Sequence, residues 1–372
     1  MPSDKLSGTL STLLDWTTTS VGRVLISLVV PTITFLVMWQ GFLFLRQGNA
    51  PQGVTVLIAV LWGVGGVGVI FLVTNWLIEQ LPGRWCWRLR PYAFVGPALV
   101  ILGWYLFMPT LRTFYISFFD ARSTAFVGLD NYIFAFTDPK MVEAFRNNLL
   151  WLTFGTSFSV ILGLFIALLA DRSKFEALAK SLIFMPMAIS FVGAGVIWRF
   201  VYFYRPPGIE QVGLLNALVV ALGGDPQAWL TLNPWNNFFL VAILVWMQTG
   251  YATVILSAAI KSVPEEILEA GRIDGASEMQ LLFHVLLPSI RGTIVTVTTS
   301  VLIIILKIFD IVFVMTNGNY GTEVIASQQY KQMFRFSHFG RGAALAILLL
   351  LAVIPVMWYN LKQLNEQEAF WL

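Results

Sequence analysis

The chain has 372 residues, of which 57% are hydrophobic and 12% charged, and its mean hydropathy is +0.76. Globular domains in water carry roughly 25% charge, so this composition excludes one and places the chain in a bilayer. The net charge of +3 is small and its basic residues are scattered, which argues against nucleic acid, and a single cysteine, Cys86, excludes an internal disulfide.

Crossing about 30 Å of hydrocarbon takes roughly 20 apolar residues. Runs of that kind predict eight spans, near residues 24–45, 54–78, 92–117, 149–170, 181–203, 238–260, 293–315 and 342–361. The predicted fold class is all-α, a polytopic membrane helix bundle. The first run, Val24 to Leu45, is too long for the core of a secretory signal, and no small-residue cleavage site follows it. An even count puts both termini on one side of the membrane. The short loops Arg84 to Arg90 and Arg172 to Lys180 are basic, and the positive-inside rule makes that side the cytoplasm.

The chain divides near Pro82-Gly83. Residues 1–90 read as an N-terminal extension with two spans, and residues 91–372 as a six-span core. Within the extension, Gly63-x-Gly65-Gly66-x-Gly68 fits a dinucleotide-binding pattern in form only, since it lies in an apolar span with no strand before it. Close helix packing through small residues is the better account. His284 and His338 have no Cys, Asp or Glu at ligand spacing, so no metal site is expected.

The most informative stretch joins spans six and seven, at about 262–290. Pro264 suits the first turn of a helix, and Glu265, Glu266 and Glu269 follow where the helix dipole favours acids. Gly275 permits a sharp turn. Met279, Leu282, Phe283 and Leu286 then recur at helical spacing, predicting an apolar face, and Pro288 marks the return towards the membrane. An amphipathic helix lying on lipid should be basic. Here Arg272 stands among Glu265, Glu266, Glu269, Asp274 and Glu278, so the segment reads as a docking element for another protein.

Glu269, Ala270, Gly275, Leu287 and Pro288 resemble the E-A-A-x3-G-x9-I-x-L-P loop of ABC importer permeases, with Gly271 in place of the second Ala and Val285 in place of Ile. The surrounding sequence, Ser262 to Ala270 and Ile273 to Ala276, is similar to the carbohydrate branch, related to the larger maltose permease subunit. The two-span extension and Phe94-Val95-Gly96-Pro97 look most like the α-glucoside and glucosylglycerol permeases. The resemblance covers roughly residues 92–361 and implies a type I ABC importer permease fold with a cytoplasmic coupling helix. It implies ATPase coupling through Glu269, Ala270, Gly271, Asp274, Gly275, Leu287 and Pro288, with Glu269 paired to an arginine of the ATPase. Gly271 is expected to loosen this helix slightly, Gly being about 1 kcal/mol poorer than Ala.

The same resemblance implies a substrate pathway through Leu244, Met247, Gln248, Tyr251, Val301, Ile304, Ile305 and Ile308. Most of these are apolar here and polar or aromatic in the maltose subunit, so either the pocket differs or this subunit contributes little to it. Trp246, Gln248, Gly250 and Tyr251 form a polar seam in span six. Residues Phe126 to Tyr132, with Asp138-Pro139 and Asn147-Asn148, resemble an outer loop of sugar permeases. They read either as an interfacial loop or as part of the face met by a solute-binding protein. Lys307 and Asp310, three residues apart inside an apolar span, are expected to share a helical face.

The implied partners are a second permease subunit, two ABC ATPase subunits, an extracytoplasmic solute-binding protein, the lipid bilayer and a sugar or sugar-like osmolyte of α-glucoside, glucosylglycerol, sucrose or trehalose type. No Walker A sequence is present, so no cofactor is expected in this chain, ATP and Mg being held by the partner ATPases. The expected location is the cell inner membrane. An ion-coupled secondary carrier using Lys307 and Asp310 is the competing reading. A membrane-embedded enzyme is the other, and it lacks any constellation of acid, base or metal ligands.

Overall fold

The computed structural model describes the backbone of residues 20–47, 50–80, 83–171 and 173–371, with side chains from 27 to 363 within those ranges. Pro82 and Arg172, used above for division and orientation, lie outside them. By packing, the chain forms two compact units, Met1–Thr110 and Leu111–Leu372. Among the described residues, six helices are long and apolar enough to cross a membrane, and two bent helix pairs bring the number to eight if each pair is one span.

In the first unit, α1 (Ser20–Gln47) and α2 (Gln52–Glu79) form a hairpin followed by α3 (Gly83–Leu102) and a π-helical turn, Gly103–Phe107. Beyond the basic start of α3, where Arg90 pairs with Glu79 at 3.1 Å, the described side chains of these helices are mostly apolar and exposed within the chain, as befits lipid-facing spans. Of the glycines in α2, Gly66 meets α1: a Cβ there would lie 2.4 Å from Met38 Cε, whereas Gly63, Gly65 and Gly68 have nothing within 4 Å. Trp62 Nε1 donates to the Met38 carbonyl at 3.1 Å.

The helix α4 (Met108–Ile116) leads into the second unit, where α5 (Asp130–Thr137) and α6 (Pro139–Leu150) precede a π turn, Trp151–Gly155, and α7 (Thr156–Ala170). Asp138 starts α6 by accepting from the N–H groups of Lys140 and Met141, with Pro139 in the first turn. The span of α6 and α7 runs from Pro139 to Ala170. It packs along α11 (Asn236–Lys261), whose buried residues include Leu240, Leu244, Gln248, Ala252 and Leu256. Gly155 and Gly163 let the two backbones approach.

Two predicted spans are not straight. Span five consists of α8 (Glu176–Phe184) and α9 (Phe191–Val201), bent by 103°. Met185–Ala188 tightens into a 3-10 turn containing Pro186, and Ser190 caps α9 by accepting from Gly193 N–H at 3.0 Å. The short helix α10 (Leu214–Ala221) follows in the next connection. Span seven, α14 (Arg291–Leu306), begins directly after a 69° bend at Ile290 and stops at Leu306 rather than continuing to 315. The last span is α17 (Phe339–Trp371).

Candidate functional site

The segment between spans six and seven is a helical hairpin. Pro264 is the N-cap of α12 (Glu265–Ile273), one position earlier than expected, with Glu265 and Glu266 in the first turn. The helix stops at Gly275, whose φ of +82° suits glycine. Ala276 N–H bonds to the Gly271 carbonyl and Gly275 N–H to that of Arg272, both at 3.0 Å, the pairing of a Schellman ending. Ser277 and Gln280 then form a capping box at the start of α13 (Glu278–Leu281). Arg272 bridges the turn to Glu278 at 3.2 Å.

Inside the hairpin, Leu281 and Leu286 are buried while Met279 and Phe283 are exposed. The predicted apolar face is therefore split: the π turn Leu282–Leu286 interrupts the helical spacing on which that face was counted, and Leu281, outside the pattern, is the residue that packs inward. Gly271 has a specific use: a Cβ there would lie 2.5 Å from Leu281 Cδ2. It is the packing floor for Leu281 rather than a point of looseness. Glu269 and Asp274 are exposed, and Glu269 has no ion pair or hydrogen bond among the described residues. Four positions on, Ile273 is 85% exposed, an apolar knob beside two acids that helical periodicity alone did not single out. Leu287 and Pro288 lie in a short helical turn, Leu287–Ser289, and the chain bends two residues after Pro288.

The proposed pathway residues come together in one cluster. Leu244, Met247, Val301, Ile305 and Ile308 are buried in the main core, with Tyr251 and Ile304 packed against it. Gln248 is buried beside them, and its Oε1 has no partner among the described residues. Gly250 serves packing, since a Cβ there would lie 2.3 Å from the Ile183 carbonyl oxygen. An apolar groove of about 570 Å³ lies between α7, α8 and α11, lined by residues such as Phe158, Leu162, Leu182, Val245 and Trp246.

Lys307 and Asp310 do not share a helical face. Lys307 is the C-cap of α14 (Arg291–Leu306), and Asp310 opens α15 (Asp310–Met315) across a break at Ile308-Phe309. Each charge thus sits at the helix end whose dipole favours it. These residues mark an interruption of the span, and that explains the charges inside an apolar run.

Two further clusters escaped sequence reasoning, because their members are far apart in the chain. At the hairpin end of the bundle, Lys180 donates to Asp171 at 2.6 Å, to Glu176 at 2.5 Å and to Ser257. Ser257 donates to Asp171 at 2.6 Å, and Lys261 pairs with Glu176. This clasp ties the ends of α7 and α8 to α11 just before the hairpin. At the opposite end, the loop 316–323 is held by two helices, α6 and α11. Asn147 Nδ2 donates to the carbonyls of Gly321 and Glu323 at 2.9 and 2.8 Å, Asn236 to Tyr320 at 2.8 Å, and Asn237 to Gly321 at 3.0 Å.

Glu323 is 2% exposed. It accepts from Ser327, from Gln328 at 3.0 Å and from Lys331 at 2.5 Å. Burial pushes its carboxyl above the ordinary Glu value, with Lys331 pulling the other way. Ile325 N–H bonds to Asn148 Oδ1 at 2.9 Å at the start of α16 (Ile325–Tyr330). Asn147 and Asn148 are therefore taken up in bracing this loop.

Comparison with known proteins decides what such a bundle belongs to. Binding-protein-dependent transport system inner membrane components match residues 159–362, the hairpin and both flanking spans included. The chain belongs to that family. The osmoprotective compounds uptake permease protein GgtC of Synechocystis sp. is 57% identical over 74% of this chain and 99% of its own length. The alpha-glucoside transport system permease protein AglF of Rhizobium meliloti is 49% identical over 76% of this chain and 84% of its own. A bacterial ABC transporter that imports alginate has a chain of the same fold, at TM-score 0.64 and 20% identity over 74% of this chain and 94% of that one.

This permease is accordingly a multi-pass inner membrane protein with the type I ABC importer permease fold. As a transport subunit it is not an enzyme, and hydrolysis of ATP belongs to partner ATPase subunits. Membership also decides against the ion-coupled carrier.

Proposed function

We propose that this permease forms half of the translocation pathway for a neutral sugar or sugar-like osmolyte of α-glucoside, glucosylglycerol, sucrose or trehalose type. The names of the relatives GgtC and AglF support that substrate class. A second permease completes the pathway, two ABC ATPases holding ATP and Mg dock beneath, and a solute-binding protein delivers substrate from outside. Both termini face the cytoplasm. Residues 1–90 are an extension, and the six spans of 91–372 carry transport.

The observation that carries the coupling role is the braced hairpin with an unpaired, exposed Glu269 beside Ile273. An acid and an apolar knob on a rigid helix end suit a groove with an arginine in a partner protein. The hairpin moves with α11, and the stroke of the ATPases reaches the pathway residues Leu244, Met247, Gln248 and Tyr251 through it. Co-purification with the ATPase and ATP-driven uptake in proteoliposomes test this together. A stable complex that Glu269→Lys disrupts supports it, and equal ATPase retention by the variant overturns it.

A further inference from the structure

We infer that Ser159 on α7, level with Gln248 on α11, and Thr156 about one turn before it form a buried hydroxyl-binding layer that helps set which solute passes. It rests on the importer reading above, and it assigns a role to a helix that supplied none of the expected pathway residues.

The helices α7 and α11 run parallel, and two glycines fix their register. A Cβ on Gly155 would lie 3.0 Å from Leu244 Cδ2, and one on Gly163 would lie 2.4 Å from Ala252 Cβ. The offset between the helices is the same at both contacts. Ser159, midway between the glycines, therefore stands level with Gln248, midway between Leu244 and Ala252. Four residues span about 6 Å of helix, so the layer is bounded on either side by direct packing.

Three polar atoms in this layer have no partner among the described residues: Thr156 Oγ1, Ser159 Oγ and Gln248 Oε1. Their residues are 6%, 0% and 3% exposed. Helical hydroxyls ordinarily bond back to the carbonyl four residues earlier. Thr153, Thr249, Thr253 and Ser300 all do so in this bundle. Thr156 and Ser159 do not; Thr156 follows directly on the π turn Trp151–Gly155 and Ser159 lies within the next turn, and such irregularities recur at functional sites.

Unpaired buried polar atoms are unfavourable, most of all within a bilayer, where water cannot stand in. Two hydroxyls and a carboxamide offer donors and acceptors without charge. That is the chemistry that recognises the hydroxyls of a neutral polyhydroxylated solute. The layer borders Leu244 and the pathway cluster, and α11 continues into the hairpin, so the stroke that moves α11 relative to α7 opens it to solute. Water carries the same hydroxyl chemistry, and the experiment separates the two.

The test uses the complete transporter in proteoliposomes, with radiolabelled trehalose, sucrose and glucosylglycerol and then monodeoxy analogues of whichever is carried. Ser159→Ala should slow uptake of the parent solute roughly fivefold, the effect of one hydrogen bond. It should leave uptake of one deoxy analogue unaltered, so that discrimination between the two is lost. Hydrolysis of ATP stimulated by loaded binding protein should persist. Thr156→Val should act likewise and Thr156→Ser should restore the selectivity, which keeps the test alive if Ser159→Ala fails to assemble. Unchanged uptake in the alanine and valine variants, or equal slowing of parent and every analogue, overturns the inference. So does a change confined to thermal stability, which would mark the layer as a seat for structural water. Failure of the unsubstituted transporter to take up any of these solutes would instead remove the substrate class proposed above.

Discussion

In the loop 316–323, three asparagines from α6 and α11 bond to backbone carbonyls, and a buried carboxylate is met by a hydroxyl, an amide and an ammonium. The hairpin 262–290 closes its own turn with a Schellman ending and a capping box, and then presents Glu269, Ile273, Met279 and Phe283 to the outside. Both are connections beside the same long helix α11. The first satisfies its polar groups within the chain, while the second is rigid internally and unsatisfied externally. A loop that serves the fold consumes its own hydrogen-bonding capacity, and a loop with the docking role proposed for the hairpin keeps it available.

The sharpest way to break this contrast is Glu269→Lys. ATP-driven uptake should be abolished in a transport assay, while the melting temperature in detergent stays unchanged, because exposed substitutions shift stability by only about 0.5 kcal/mol. Loss of stability to match the loss of uptake would erase the distinction between the two regions.

Lys331→Met should do the reverse damage. Removing one partner of a buried pair is destabilising by about 3–5 kcal/mol, and Glu323 is left buried with its amide and hydroxyl contacts alone. Thermal unfolding in detergent measures it. The pH dependence has a definite sign. Glu323 is raised in the folded state from an ordinary value of 4.5, so the folded form keeps its proton to higher pH than the unfolded form. Its contribution is fully present below 4.5 and falls as pH rises from there through the raised value. The gap between Lys331→Met and the unsubstituted protein should therefore narrow on acidification towards pH 4.5. A gap independent of pH would show that Glu323 does not carry the effect.

Asn147→Ala removes two bonds to loop carbonyls and should lower stability by about 1–3 kcal/mol. The readout is the same melt, with proteolysis within 316–323 as a local probe. Smallest of all, Gly271→Ala should change stability by under about 1 kcal/mol. Better helix propensity offsets the shift forced on Leu281, and any slowing of uptake then reports on the hairpin's outer shape. A large destabilisation would mean that Leu281 cannot yield.

The apolar spans were legible because their runs must match the bilayer thickness; six described helices pass that test singly, and eight do if each bent pair is one span. The hairpin's acids and turn glycine were legible because they act locally. Span five was read as straight, since the hydropathy of Ile183 to Phe191 gives no sign of a break; Pro186 and the Ser190 cap were the available signals. Lys307 and Asp310 were placed on one helix because spacing was counted before asking whether the helix continues. The Lys180 clasp and the Asn147 braces join positions many residues apart, and a single sequence carries no record of such pairings. Gln248 was named by resemblance, but its level with Ser159 emerges only from the register of two helices.

The unbroken course of α11 has its own consequence. It runs 26 residues from Asn236 to Lys261, about 39 Å of helix, without proline or interruption. One tip grips the loop 316–323 through Asn236 and Asn237, and the other leads straight into the hairpin. A tilt imposed at either tip therefore registers at the other, as in a see-saw beam. Events at the two faces of the membrane are mechanically one event.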